Sequence, residues 1–218
     1  MNAALKFPRG LYGITPEWDD TDRLLRAVRA AAAGGMTALQ WRRKIIEPSL
    51  RLPQARALAA LCRDLGVCFI VNDDWRFAAA IDADGVHIGR DDGLAADARI
   101  ALGPDKLLGC SCYNDPGLAG QALRAGADYV AFGAVYPSAI KPDAVRATLD
   151  TIRAGRELVE RAGPRPAVVA IGGITPGNAQ AVIAAGADSV AMISGLFGAP
   201  DIRAAASACR ALFQQTAR

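Results

Sequence analysis

The sequence is poor in aromatic side chains and nearly devoid of histidine. Phe, Trp and Tyr make up 6% of its 218 residues, and there is one histidine. A metal site built from cysteine and histidine therefore has little material. The five cysteines (Cys62, Cys68, Cys110, Cys112, Cys209) contain no Cys-x-x-Cys pair, so neither a zinc nor a redox motif is present. Buried, reduced thiols are the expectation. No run of about 18 uninterrupted apolar residues occurs, which argues against a membrane-spanning helix. Lys6 and Arg9 have no apolar stretch behind them, so no signal peptide is read and a cytoplasmic location is expected. Long blocks of one charge are also missing. The net charge of +3 is too mild for nucleic acid, which calls for a dense basic stripe.

What is present is an ordinary globular composition, 52% apolar and 22% charged, with 22 glycines and many alanines. Short β-rich runs alternate with alanine-rich helical stretches. The strand candidates are 11–15, 38–42, 68–72, 85–88, 107–111, 129–134, 167–171 and 189–194. The helical patterns are 21–33, 50–65, 74–80, 94–102, 116–125, 144–161, 177–185 and 201–215. Several strands are apolar throughout, as in Phe-Ile-Val and Val-Val-Ala-Ile, which marks parallel strands buried on both faces. The phrase Ala-Gly-Ala-Asp recurs at 125–128 and 185–188, each time before a strand. Its glycine suits the residue past a helix end. Eight such units without a break in composition predict an α/β fold, a single (β/α)8 TIM barrel over residues 1–218. Residues 1–9 read as a flexible N-terminal extension. The length is lean for a barrel, which typically takes about 250 residues. An open doubly wound sheet would want a glycine-rich fingerprint after its first strand. Pro16-Glu17-Trp18-Asp19-Asp20 stands there instead.

Barrel chemistry sits at the C-terminal strand ends. Basic residues follow the second and sixth strands: Arg42, Arg43 and Lys44, then Lys141. Acidic ones follow the third and fourth: Asp73 and Asp74, then Asp91 and Asp92. Strand alternation puts Gln40, Arg42 and Lys44 on one face and Arg43 on the other. Carboxylates at adjacent strand ends suit Mg²⁺, and they equally suit helix N-termini. Gly172-Gly173 and Ile193-Ser194-Gly195 stand where barrels bind phosphate through backbone N–H groups. The same glycines would also serve a tight turn. His87, between Val86 and Ile88, fits a core histidine as well as a site residue.

Taken in order, Gln40-x-Arg42-x-Lys44, Asn72-Asp73, Val86-His87-Ile88-Gly89 with Asp92, Gly109-x-Ser111, Tyr136-Pro137-Ser138-x-x-Lys141, Gly172-Gly173 and Ile193-Ser194 resemble the thiamine-phosphate synthase family. The resemblance runs from about Leu11 to Phe197. It implies a transferase of thiamine biosynthesis that joins hydroxymethylpyrimidine diphosphate to a thiazole phosphate and releases pyrophosphate. It further implies Arg42, Lys44, Ser111 and Lys141 as the catalytic diphosphate clamp, with Gln40 and Asn72 orienting the pyrimidine. Asp73 and Asp92 would hold Mg²⁺. Ser138, Ile140, Gly173, Ile193 and Ser194 would meet the thiazole phosphate. The partners implied are these small molecules, with neither nucleic acid nor membrane, and a homo-oligomer is compatible with the sequence. Ile140 departs from the pattern, because a hydroxyl residue usually stands there. Arg90 replaces a usual glutamine, and Asp74 a frequent arginine. A thiazole tautomerase of the same superfamily would want a histidine after the fifth strand, where Tyr113 stands. A non-catalytic binder of thiamine precursors would have no use for the clamp residues. The segment 136–146 is the candidate lid.

Overall fold

The computed structural model describes residues 5–137, 145–160, 162 and 164–216. Eight parallel strands close into one barrel in sequence order. They are β1 (Gly10–Ile14), β2 (Met36–Trp41), β3 (Cys68–Asn72), β4 (Gly85–Ile88), β5 (Leu107–Tyr113), β6 (Tyr129–Phe132), β7 (Ala167–Ile171) and β8 (Ser189–Met192), and β8 pairs back onto β1. The helices between them are α1 (Thr21–Gly34), α2 (Pro48–Leu65), α3 (Trp75–Ala80), α4 (Ala95–Leu102), α5 (Pro116–Arg124), α6 (Leu149–Glu160) and α7 (Ala179–Ala184). The short α8 (Ser194–Phe197) and then α9 (Ile202–Gln215) follow β8.

Most boundaries shift by a residue or two from the sequence reading, and three of the shifts have a structural reason. β5 continues to Tyr113, with a slip in its pairing to β6 between Ser111 and Tyr113. β8 stops at Met192, and Ser194 opens α8 instead of ending the strand. Continuous apolarity across Val190–Ile193 gives no period by which to separate strand from helix. Helix α6 starts at Leu149, because Thr148 and Thr151 exchange hydrogen bonds at its N-terminus (3.2 Å).

Two apolar layers result from the strand alternation. Side chains pointing outward meet the helices in the larger cluster. Those pointing inward fill the barrel: Tyr12, Ile14, Ala38, Ile70, Tyr129, Ala131, Val169 and Ala191. Phe7 belongs to this inner set. It lies in the stretch read as a flexible extension, yet it is fully buried, with its ring stacked on Tyr129 at 4.1 Å.

The Ala-Asp phrase before the even-numbered strands has a common mechanism. Asp84, Asp128 and Asp188 each accept a backbone N–H of the preceding strand through the carboxylate, from Phe69 (2.7 Å), Leu108 (2.9 Å) and Val168 (3.0 Å). Each also donates its own N–H to the carbonyl of that same residue. Their carbonyls accept from Leu107, Ala167 and Gly10, one strand further round. One residue type thus ties three strands together at the N-terminal rim. The glycines Gly126 and Gly186 just before take φ of 87° and 112°, which end the helices.

Candidate active site

The C-terminal mouth of the barrel holds a cavity of about 570 Å³. Gln40, Arg42, Lys44, Asn72, Asp73, Asp92, Ser111, Gly173, Ile193 and Ser194 all line it. Those residues come from separate strand ends, so closure of the barrel brings them together. Ser138, Ile140 and Lys141 lie outside the described residues, as does most of the candidate lid 136–146.

The basic side of the mouth is built at the end of β2. Thr15 pins it, accepting from Arg42 N at 2.9 Å and donating to Arg42 O at 3.2 Å. Beyond that point the side chains part as alternation requires. Arg43 turns away from the cavity and is buried against Gln54 (3.0 Å), the Trp18 carbonyl (2.6 Å) and Asp19 (2.5 Å). Arg42 stays at the rim, 3.2 Å from Glu17. Lys44 reaches across to Asp73, with which it forms an ion pair.

Acidic groups face it from β3 and β4. Asp73 has a left-handed backbone, φ 69°, which Asp tolerates better than most residues. Burial pushes its carboxyl above the usual range, Asp92 adds to that rise, and Lys44 opposes it. Asp92 accepts the Gly89 N–H at 2.7 Å. Of these acidic residues, Asp74 is a helix cap. It caps α3, accepting from Phe77 N at 2.9 Å, and pairs with Arg51 at 2.7 Å. Although burial raises its carboxyl, the Phe77 N–H and Arg51 together hold it below the usual range. Asp91 lines the cavity. Among the described residues, no three His, Cys, Asp or Glu side chains converge as a metal group.

The opposite rim is backbone. Gly172 and Gly173 take φ of 100° and 63°. A Cβ on Gly173 would lie 2.3 Å from the Pro137 carbonyl, so both conformation and space demand glycine there.

The cavity floor and the barrel core beneath it hold residues that sequence reasoning missed. Tyr12 and Tyr129 stand on inward positions of β1 and β6 and are fully buried. The signal was the alternation itself, which aims a tyrosine into the barrel at both places. His87 is at once core and cavity wall: Nδ1 lies 3.2 Å from Tyr129 Oη, and Nε2 lies 2.9 Å from Ser111 Oγ. Burial lowers it to about 4, against the pull of the Asp92 charge, so the imidazole is neutral at neutral pH. Burial likewise raises the Cys62 and Cys110 thiols to about 12, and all five cysteines are free. Four of them are buried, as expected, and Cys68 is half-buried.

A profile described as thiamine monophosphate synthase matches residues 11–196. The chain belongs to that family. Thiamine-phosphate synthase of Bordetella bronchiseptica is 64% identical over 210 residues, covering 96% of this chain and 97% of that protein. The Thiobacillus denitrificans thiamine-phosphate synthase is 54% identical over 208 residues, covering 95% and 96%. Among solved structures, a thiamine phosphate pyrophosphorylase from Pyrococcus furiosus superposes with a TM-score of 0.80 at 34% identity, covering 94% of this chain and 96% of that one. Members of the thiamine monophosphate synthase family are transferases, and this chain is a transferase of thiamine biosynthesis. Among the described residues, no helix is long and apolar enough to cross a membrane.

Proposed function

We propose that the cavity joins hydroxymethylpyrimidine diphosphate to thiazole phosphate, giving thiamine phosphate and pyrophosphate. One observation carries this reading. Cationic Arg42 and Lys44, paired carboxylates and a glycine-backed rim meet in a single cavity. Such a site suits a reaction driven by positioning and charge stabilisation. In it the methylene C–O bond of the pyrimidine breaks, and the diphosphate leaves with the electron pair. The thiazole nitrogen then donates its lone pair to the methylene carbon. The aminopyrimidine ring spreads the positive charge in between, so a dissociative path fits.

Arg42 and Lys44 would meet the diphosphate oxygens, joined by Lys141 in the sixth-strand loop. Ser111 would donate a further hydrogen bond. Gln40 and Asn72 would orient the pyrimidine. Gly173, Ile193 and Ser194, with Ser138 and Ile140, would receive the thiazole phosphate. Asp73 and Asp92 would hold Mg²⁺. The fit is supported by their chemistry: two neighbouring carboxylates, one of them pushed up by burial and by the other, form a site that a divalent cation relieves. Mg²⁺ held there would supply neutralisation of the charge on the departing pyrophosphate.

The test is direct. Both substrates are mixed with the protein and Mg²⁺, and thiamine phosphate and pyrophosphate are followed. Stoichiometric formation of both, abolished by chelator and restored by Mg²⁺, is expected. No product at saturating thiazole phosphate would sink the reading.

A further inference from the structure

Four hydrogen bonds join five side chains at and beneath the cavity floor. Gln40 Nε2 donates to Tyr12 Oη at 2.9 Å, and the Tyr12 and Tyr129 hydroxyls are 3.0 Å apart. Tyr129 Oη lies 3.2 Å from His87 Nδ1, and His87 Nε2 lies 2.9 Å from Ser111 Oγ. The row runs from β2 through β1, β6 and β4 to β5. The Tyr12 and Tyr129 hydroxyls and the His87 ring lie in buried residues, so these groups are satisfied along the row.

Counting protons along it sets its direction. The Gln40 amide nitrogen can only donate, so the Tyr12 oxygen accepts. The Tyr12 proton then goes to the Tyr129 oxygen. The Tyr129 proton is left for His87 Nδ1, which must accept it. A neutral imidazole whose Nδ1 accepts carries its proton on Nε2, and that proton goes to Ser111 Oγ. The Ser111 hydroxyl proton is thereby left to point into the cavity. Both phenols are fully buried, and burial holds their ionisation above the ordinary range, so neither drops out as a donor.

We infer that Tyr12, Tyr129 and His87 are positioning residues: they make Ser111 a donor toward the cavity and hold the Gln40 carboxamide with Oε1 free to accept. A donor hydroxyl suits an acceptor-only ligand group such as a diphosphate. A free carboxamide oxygen at the other end suits an amino substituent. Had the row run the other way, Ser111 would present lone pairs to an anion. The kinetic consequence rests on the pyrimidine diphosphate reading; the proton placement does not.

His87 is the only histidine in the sequence, so ¹⁵N NMR of histidine-labelled protein reads one ring. In the wild type, Nε2 is expected to carry the proton and Nδ1 to show the shift of an unprotonated acceptor. A proton on Nδ1 would overturn the inference. Tyr129→Phe removes one hydroxyl while keeping the ring that stacks on Phe7 and His87. It is expected to release the tautomer preference. It is also expected to lower kcat/KM for the pyrimidine diphosphate on the order of tenfold, leaving KM for thiazole phosphate unchanged. His87→Gln can place an amide N–H near the Nε2 position and is expected to retain more of that kcat/KM than His87→Leu. A Tyr129→Phe protein with the wild-type tautomer and wild-type kinetics would overturn the inference, as would one altered only in thermal stability. A wild type that makes no thiamine phosphate yet shows the Nε2–H tautomer would count against the functional reading alone.

Discussion

At the residue scale, Arg42 and Arg43 are chain neighbours with opposite tasks. Alternation sends one to the rim of the cavity and buries the other in a shell of Glu17, Asp19 and Gln54. A composition count sees only a basic cluster. Asp73 and Asp74 divide in the same way, one lining the cavity and one capping α3. Asp92 offers the sharper test of the proposed Mg²⁺ site. Asp92→Asn keeps an oxygen to accept the Gly89 N–H while removing the charge. Mg²⁺-dependent turnover is expected to fall by about 10²–10³. Stability should stay within about 0.5 kcal/mol, as for other changes that leave local bonding in place. Steady-state kinetics with a urea titration check both, and unchanged turnover would remove Asp92 from the metal assignment.

At the element scale, the Ala-Asp phrase does more than turn the chain into the next strand. Asp188 accepts from Val168 N and pairs with Arg156 (3.0 Å) and Arg165 (2.9 Å) while itself almost wholly buried. Asp188→Ala would strand one buried N–H and two partly buried guanidinium groups. A loss of about 3 kcal/mol is expected, with Asp188→Asn losing less because it keeps an acceptor. Chemical denaturation measures this, and a loss below about 0.5 kcal/mol for the alanine variant would show that the strand tie contributes little. The repeat itself was legible in the sequence. Its bonding was not, because the partners Phe69, Leu108 and Val168 lie 15 to 20 residues away.

At the scale of the whole molecule, the barrel is closed at its N-terminal end by a residue from outside the repeat. Phe7 fills the space under Tyr12 and Tyr129, at ring distances of 5.0 and 4.1 Å. Phe7→Ala would leave a cavity there, with an expected loss of about 3–5 kcal/mol. The unfolding midpoint of the variant in urea tests this. A midpoint equal to wild type would return Phe7 to the status of an extension. The sequence hides this role, since a single phenylalanine in a short lead carries no period.

The sequence by itself determined the number and order of the strands. Hydrophobic runs, helix-ending glycines and recurring Ala-Asp turns are local signals, and local signals survive in one dimension. It also placed Gln40, Arg42, Lys44, Asn72, Asp73, Asp92, Ser111, Gly173, Ile193 and Ser194 among the candidates, some from the barrel's shared strand-end rim and the rest from the family resemblance. Tertiary structure alone decided which carboxylate caps a helix and where β8 yields to α8. It also decided that Tyr12, Tyr129 and His87 form one bonded row. Those outcomes depend on contacts between strands that are distant in the chain, as with the 117 residues separating Tyr12 from Tyr129. Their hydroxyls meet only because the barrel closes.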